Sequence, residues 1–95
     1  MSEQVPSIGR IVHYRLSAQD AKAINACRLN SLNTKLSGNP VCEGDTYPMI
    51  IVRVWGDKHN SAVNGQVMLD GNDLFWATSV LVGDGPRSFS WPPRV

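Results

Sequence analysis

The 95-residue chain lacks an excess of charge of either sign, because nine lysines and arginines stand against eight aspartates and glutamates, for a formal net charge of +1. A protein that holds long nucleic acid needs an extended basic surface that neutralises many phosphates. The composition therefore argues against long nucleic acid as a partner and stays compatible with a small anionic ligand. Hydrophobic residues make up 42% and charged residues 18% of the chain, which is ordinary for one globular domain.

Long apolar runs are also missing. The longest reach about five to seven residues, whereas a membrane-spanning helix needs about 20. Residues 1–4 do not show the basic-then-apolar pattern of a secretory signal. We therefore expect an intracellular protein that makes no contact with a membrane.

Cysteine is scarce. Cys27 and Cys42 are too far apart for a CxxC motif, and neither has a histidine nearby in the sequence. A structural zinc site needs four ligands, which this pair does not supply. We expect two free thiols that serve as small core residues, and no disulfide, metal or cofactor.

No catalytic motif is present. The GxSxG, HExxH, Walker A and GxGxxG patterns are all missing. Most aspartates fall in turn sequences, which explains them without a metal or a catalytic pair. Residues 70–73 (Asp-Gly-Asn-Asp) resemble part of a calcium loop but lack the glutamate at the required spacing. We expect no catalytic residue and no enzyme.

The chain does contain short β segments separated by turn sequences. Five stretches predict strands: Gly9–Arg15, Met49–Trp55, Ala62–Leu69, Leu74–Val82 and Arg87–Trp91. Residues 70–73 predict a hairpin turn, because glycine and asparagine tolerate positive φ.

One helix is predicted over Ala18–Leu29. Ser17 has the chemistry of an N-cap, and Asp20 lies in the first turn, where negative charge is favoured. Leu16 and Ala21 have the spacing of a hydrophobic staple. The apolar stripe continues through Ile24 to Cys27 or Arg28, so the helix is expected to dock on the sheet.

These elements predict one mainly β domain over residues 1–95, a small SH3-like, five-stranded, antiparallel, partly open barrel with one inserted helix. An OB-like barrel is the alternative. Residues 1–7 are expected to be flexible, and residues 30–40 to form a loop. The first and last strands of such a barrel can lie side by side. That neighbourhood would join residues from both ends of the chain: Arg10, His13, Tyr14, Trp91 and Arg94.

Some positions break the simple alternation. Met49–Trp55 is apolar on both sides, which predicts a strand covered on both faces, with Arg53 as an anomaly. Gly65 predicts a bulge or a close backbone approach. In the fourth strand the alternation places one set on a common side: Leu74, Trp76, Thr78, Val80 and Val82.

Three tryptophans are many for this length, and the default role of each is to fill the core. Trp55, however, follows Arg53 on the same strand face. A tryptophan with arginine and tyrosine nearby can stack on a nucleobase while guanidinium groups hold phosphates or carboxylates. The same residue types also form protein-interface hot spots. The residues alone leave these roles open.

His13 stands among polar strand residues, with Arg10, Tyr14 and Arg15 close by in the sequence. It can contact a ligand or act as a general acid–base. The structural alternative is a strand histidine whose ring bonds a backbone carbonyl. His59 lies in a loop and is expected to be solvated.

Several segments together resemble small proteins encoded by tailed bacteriophages and prophages. They are residues 6–14 (PSIGRIVHY), Tyr47-Pro48 before a strand that ends in Val54-Trp55-Gly56, and residues 69–73 (LDGND), 75–80 (FWATSV), 83–86 (GDGP) and 91–94 (WPPR). The resemblance covers most of residues 6–94, is specific as a set, and is weakest over the helix and the loop after it. The chain departs from the longer members by a short stretch around residues 30–37.

The resemblance implies a phage accessory protein in the cytoplasm of an infected bacterial host. Such small proteins are often anti-defence factors, and one class binds nucleotide immune signals, such as cyclic dinucleotides or cyclic ADP-ribose derivatives, without cleaving them. We therefore expect a homo-oligomeric nucleotide sponge. Its expected contacts are Arg10, Arg15 and Arg53 to phosphates, Tyr14 with Trp55 or Trp76 to a base, and His13 and Asn72 as hydrogen-bonding groups.

Two alternatives stay open. An SH3-like protein-interaction module acting on a host or virion protein predicts an exposed apolar patch in place of a closed pocket. A nucleotide-processing enzyme would use His13 and an aspartate as acid and base.

Overall fold

The strands of a computed structural model of the chain form a closed barrel in the order β1-β2-β3-β4-β5. The structure describes residues 4–29 and 38–92, so most of the expected loop over residues 30–40 lies outside the described residues. The elements are β1 (Ile11–Arg15), α1 (Ala18–Leu29), β2 (Thr46–Val54), β3 (Val63–Met68), β4 (Leu74–Val82) and β5 (Ser88–Ser90).

The strand order confirms a five-stranded SH3-like barrel, because each strand pairs with the next along the chain and β5 returns to β1, but the barrel is closed and not partly open as predicted. An OB-like barrel would need a Greek-key order. Four of the pairs are antiparallel, whereas β4 and β5 run parallel. Five strands cannot alternate in direction all the way around a closed ring, so closure requires one parallel pair.

The side chains of β1 alternate between the core and solvent. Val12 and Tyr14 are fully buried, whereas Ile11 and Arg15 are exposed and His13 is half-buried. The outer side of β1 is therefore the side from which His13 and Arg15 reach solvent.

The expectation that β2 is covered on both faces is wrong. Met49 and Ile51 are buried, but Val52 and Arg53 are both exposed. The pairing with β3 shifts register between Ile51 and Arg53. A bulge adds one residue to a strand, so two consecutive residues can point outward. The bulge explains why Arg53 points to solvent, although strict alternation with Met49 and Ile51 would place its side chain in the core.

The prediction that Leu74, Trp76, Thr78, Val80 and Val82 share one side of β4 is also wrong, because the alternation breaks beyond the middle of the strand. Trp76 is exposed, whereas Ala77 and Val80 are buried. Ser79 has a φ of 54°, in the left-handed region, and the register between β3 and β4 shifts between Val63 and Gly65. This irregularity changes which side chains face inward, so Val80 enters the core although Trp76 does not.

The core fills the barrel and extends to the helix. Its members are Val12, Tyr14, Leu16, Ala21, Ile24, Val41, Met49, Ile51, Val63, Val67, Leu69, Ala77, Val80 and Phe89. Gly65 confirms the predicted close approach, because a Cβ at this position would lie 2.7 Å from the Met49 sulfur and 2.9 Å from the Ile50 carbonyl oxygen.

The helix begins and ends where the sequence predicts, with a reciprocal capping arrangement. The Asp20 amide donates to Ser17 Oγ at 3.0 Å, and the Ser17 amide donates to Asp20 Oδ2 at 3.0 Å. The Tyr14 hydroxyl donates to the same Asp20 Oδ2 at 2.6 Å. Burial and this bond to Asp20 raise the pKa of Tyr14 well above its usual value. The start of the helix is thus tied to the barrel interior.

An ion pair ties the end of the helix to the β3–β4 turn. Arg28 Nε lies 2.9 Å from Asp73 Oδ2, and a second nitrogen of the same guanidinium donates to Asp73 Oδ1 at 3.0 Å. Both side chains are only 9% exposed. Arg28, and not Cys27, continues the buried stripe. Cys27 and Cys42 are exposed free thiols, so the expectation that they fill the core is wrong.

Pro6 lies within the segment, residues 1–7, that was expected to be flexible, but its side chain is buried.

The one helix in the described ranges, α1, has 12 residues and is too short to cross a membrane.

Replacing Gly65 with alanine is expected to destabilise the fold by about 1–3 kcal/mol, because the added methyl group would overpack the core against Met49 and the Ile50 carbonyl. Urea unfolding measures the change. Gly85→Ala is the control, because a Cβ there meets no atom within 4 Å. Equal midpoints for the two variants would contradict the packing described for Gly65.

Tyr14→Phe is expected to lower the free energy of unfolding by about 1–3 kcal/mol, because it takes a donor away from the buried Asp20 carboxylate. Tyr47→Phe is the matched control. The Tyr47 hydroxyl is bonded to Asp45 at 3.2 Å in a half-buried position, so we expect a smaller loss, below about 1 kcal/mol. A larger loss for Tyr47→Phe would show that the helix does not depend on the Tyr14–Asp20 bond.

The Arg28–Asp73 pair is expected to make the fold sensitive to acid. The bond from Arg28 lowers the pKa of Asp73, so its stabilisation is complete above the ordinary aspartate value near 4 and is lost as pH falls through the lowered value. Asp73→Asn should reduce the loss of stability measured by urea unfolding between about pH 5 and pH 3. Asp57→Asn, in an exposed loop, should leave the pH profile unchanged.

Candidate functional site

The predicted ligand contacts do not converge on one pocket. The structure distributes them over a polar cleft beside β5, a stacked arginine–tryptophan pair at the end of β2, a second such pair near the N-terminus, and the outside of β4.

The polar cleft lies where β1 meets β5. His13 on β1 is the register partner of Ser90 on β5, and Arg15 is the partner of Thr46 on β2. The cleft has a volume of about 290 Å³. We call it the β1–β5 cleft; it is lined by His13, Arg15, Thr46, Gly83, Asp84, Ser88 and Ser90.

Two hydrogen bonds hold the loop over residues 83–87, which lines the cleft through Gly83 and Asp84, against β1. One Arg15 guanidinium nitrogen donates to the Asp84 carbonyl oxygen at 2.7 Å, and the Arg87 amide donates to the Arg15 carbonyl oxygen at 2.9 Å. The Ser88 hydroxyl donates to the Gly85 carbonyl oxygen. A guanidinium group has five N–H donors, so the Asp84 contact leaves donors of Arg15 for a ligand.

The charges of the cleft limit what it can hold. Its lining contains one permanent cation (Arg15), one histidine, one carboxylate (Asp84) and three hydroxyl groups. Such a set can bind a single phosphate or carboxylate group through charge-assisted hydrogen bonds, but it does not provide a strongly basic surface. Among residues 4–29 and 38–92 no hydrogen bond links His13 to a serine hydroxyl, and the Ser88 hydroxyl bonds the Gly85 carbonyl instead.

The Arg53–Trp55 pair lies at the end of β2. The guanidinium carbon of Arg53 is 3.9 Å from the indole centroid, a cation–π contact. Trp55 Nε1 donates to Asn64 Oδ1 at 3.2 Å, and the Ser79 amide donates to the same oxygen at 2.9 Å. Arg53 covers one face of the half-exposed indole, so stacking of a base on that face would require the arginine to move.

The two ends of the chain meet as predicted. Arg10 lies over the Trp91 ring, 5.0 Å from its centroid, and Trp91 packs edge-on against the buried Phe89 with centroids 5.8 Å apart. Arg94 lies outside the described residues. Arg10 also donates to Gln4 Oε1 at 3.1 Å. The pair therefore fastens the N-terminal segment to the barrel.

Tyr14 does not stack on a ligand, contrary to the sequence-based expectation. Its ring is fully buried, and its hydroxyl is used by Asp20. Asn72 is exposed in the β3–β4 turn, and His59 is exposed in the β2–β3 loop. Neither lines the β1–β5 cleft.

Trp76 is the most exposed of the three tryptophans, for each of which the sequence left open a role in the core or in a ligand site. It is 61% exposed on the outside of β4, and neighbouring Leu74 is 62% exposed. Trp91 is half-buried against the core. The core role is therefore excluded for Trp55 and Trp76, while a ligand role for them stays a prediction.

Sequence reasoning missed most of the cleft. Ser88 and Ser90 alternate with the buried Phe89, a pattern that points both serines outward, but serines on a short strand carry no distinctive chemical signal. Their importance arises only because barrel closure places them beside His13.

No group of three or more histidine, cysteine, aspartate or glutamate side chains within residues 4–29 and 38–92 is arranged to hold a metal ion. Comparison with protein-family models, with curated proteins and with solved structures found no match.

Proposed function

We propose that this protein binds a small anionic ligand in the β1–β5 cleft and sequesters it unchanged. The observation that carries this proposal is the cleft itself, in which Arg15, His13 and serine hydroxyls line one concave surface. The resemblance to phage proteins indicates the class of ligand, a nucleotide immune signal of the cyclic dinucleotide or cyclic ADP-ribose type. The protein would act in the cytoplasm of the infected host and block anti-phage defence.

The size of the cleft supports recognition of part of such a ligand. Pockets that bury drug-sized ligands start at about 300 Å³, so a cleft of about 290 Å³ accommodates a phosphate with its sugar more readily than a whole dinucleotide. Within the described part of the chain, no tryptophan, tyrosine or phenylalanine lines the cleft. The base would therefore extend beyond the cleft, and a homo-oligomer would supply further contacts to it.

Arg15→Gln is expected to weaken ligand binding about 10- to 100-fold, because it removes a charge-assisted hydrogen bond to the anion. The measurement is calorimetric titration with a panel of cyclic dinucleotides and cyclic ADP-ribose derivatives. Arg53→Gln is the matched control, since Arg53 is an exposed arginine outside the cleft. Loss of binding in Arg53→Gln with normal binding in Arg15→Gln would move the site to the Arg53–Trp55 pair.

Heating the loaded wild-type protein and analysing the released nucleotide separates sequestration from catalysis. Recovery of the intact nucleotide supports the proposal, whereas recovery of an altered nucleotide supports the enzyme alternative with His13 as acid or base. The absence of binding across the whole panel contradicts sequestration of this ligand class.

A protein-interaction module is the second candidate. It is favoured by the exposure of Trp76 and Leu74, because large apolar groups side by side on a surface mark sites of protein contact. The partner in that case is a host or virion protein. Trp76→Glu should then abolish capture of that protein, while Arg15→Gln leaves it intact.

A further inference from the structure

We propose that an apolar pocket between α1 and the start of β4, together with the outer side of β3 and β4 beside it, binds an amphipathic helix of a partner protein. We call this cavity the α1–β4 pocket; its volume is about 210 Å³. The inference rests on the second candidate function, a protein-interaction module, and names the chemistry of its partner.

The α1–β4 pocket combines buried apolar side chains with an exposed edge. Ile24 and Leu69 are buried and Phe75 is half-buried, whereas Ala23 and Cys27 on α1 are exposed. An apolar group inserted here leaves water and gains dispersion contacts with both the helix and the strands. The pocket is therefore open to a partner and lined for an apolar one.

Charge and size limit what the pocket accepts. Among the described residues that line it only Asp73 is charged, and Arg28 bonds its two carboxylate oxygens at 2.9 and 3.0 Å. The carboxylate is thus already compensated, which favours an uncharged group. An apolar cavity of about 150 Å³ holds a benzene ring, whereas pockets for drug-sized ligands start at about 300 Å³. A volume of about 210 Å³ fits one large apolar side chain.

Apolar surface continues from the pocket onto two adjacent strands. Met68 on β3 is the register partner of Leu74 on β4, and Gln66 is the partner of Trp76. These four outward residues form what we call the β3–β4 patch, in which Met68 is 41%, Leu74 62% and Trp76 61% exposed. Leu74 also lines the pocket, so the two surfaces are joined. A molecule that fills only the pocket leaves the patch in water, whereas a protein segment covers both.

The geometry favours a helix as that segment. Leu74 and Trp76 are two residues apart on a strand, about 6.6 Å along its axis. Side chains at i and i+4 of a helix share one face and lie about 6 Å apart, so one can enter the pocket beside Leu74 while the next packs on Trp76.

An extended peptide repeats at a similar distance, but its backbone needs a free strand edge to bond. Each of the five strands of the closed barrel already has two neighbours. A helix bonds its own backbone groups and can therefore lie on side chains alone.

The probe is a library of random peptides of about 16 residues, or about four helical turns, displayed on yeast and selected on the wild-type protein. Enriched sequences should carry two large apolar residues three or four positions apart. A synthetic copy should gain helical circular dichroism when it binds. Failure to enrich any sequence, or enrichment of proline-rich or strictly alternating sequences, would overturn the inference.

Two matched pairs of variants locate the bound peptide. Ala23→Trp places an indole at the exposed edge of the pocket and should weaken binding at least about 30-fold, the effect of losing an interface hot spot. Ala26→Trp, the same change on an exposed position of α1 that does not line the pocket, should bind normally. Leu74→Glu should weaken binding similarly, whereas Leu81→Glu, on β4 and 56% exposed but outside the patch, should not. Equal effects within either pair would contradict the proposal.

Alkylation of the wild-type thiols tests the pocket without any substitution. Cys27 and Cys42 are both exposed, but only Cys27 lines the pocket. Peptide at about ten times its Kd should slow the reaction of Cys27 with iodoacetamide about 10-fold and leave Cys42 unchanged, as measured by mass spectrometry. An unchanged rate at Cys27 would mean that the peptide binds elsewhere, and the inference would fall.

The proposals fail separately. Arg15→Gln should bind the peptide as wild type does, and absence of nucleotide binding would leave the peptide result unchanged. If Trp76→Glu abolishes capture of a host or virion protein but no helical peptide is selected, the protein-interaction function stands and the helix inference is overturned.

Discussion

The hydrogen bond between Tyr14 and Asp20 connects the start of α1 to strand β1 and the barrel core. Burial keeps the Tyr14 hydroxyl protonated, so it remains a donor, and the carboxylate that accepts from it also caps the helix. One carboxylate thus joins the interior side of β1 to the start of α1. Because Tyr14 points inward, His13 and Arg15 on either side of it must point outward, where β5 and β2 lie beside them.

The outer side of β1 changes in chemistry along the strand. Towards its C-terminal end, His13 and Arg15 face the hydroxyl groups of β5 and the loop that follows β4. At its N-terminal end, the exposed Ile11 is the register partner of Ile50 on β2. The exposed apolar side chains of Leu74 and Trp76 lie on β4, and no residue of β4 is among those that line the cleft. The two candidate contacts, a small anion in the cleft and a protein on β4, would therefore not compete for the same residues.

Local signals in the sequence predicted the local structure well. The caps at Ser17 and Asp20 defined the helix, and turn residues defined both ends of β4. Predictions that needed strict alternation failed at the bulges, because one extra residue reverses the direction of each side chain after it. Tyr14 was predicted to contact a ligand, because the sequence does not distinguish a tyrosine that packs in the core from one that binds a ligand. The cleft depends on the meeting of β1 with β5, which are distant in the chain, so no local pattern reports it.

The odd number of strands has a consequence for the cleft. A connection between parallel neighbours usually needs a dozen or more residues, because the chain must travel back along a whole strand. Here β5 lies alongside only the last two residues of β4, so residues 83–87 are enough for the return. Two of those five residues, Gly83 and Asp84, line the cleft. The odd strand number therefore shapes the cleft: a barrel with an even number of strands would close with a simple hairpin and would have no returning loop to stand beside Arg15.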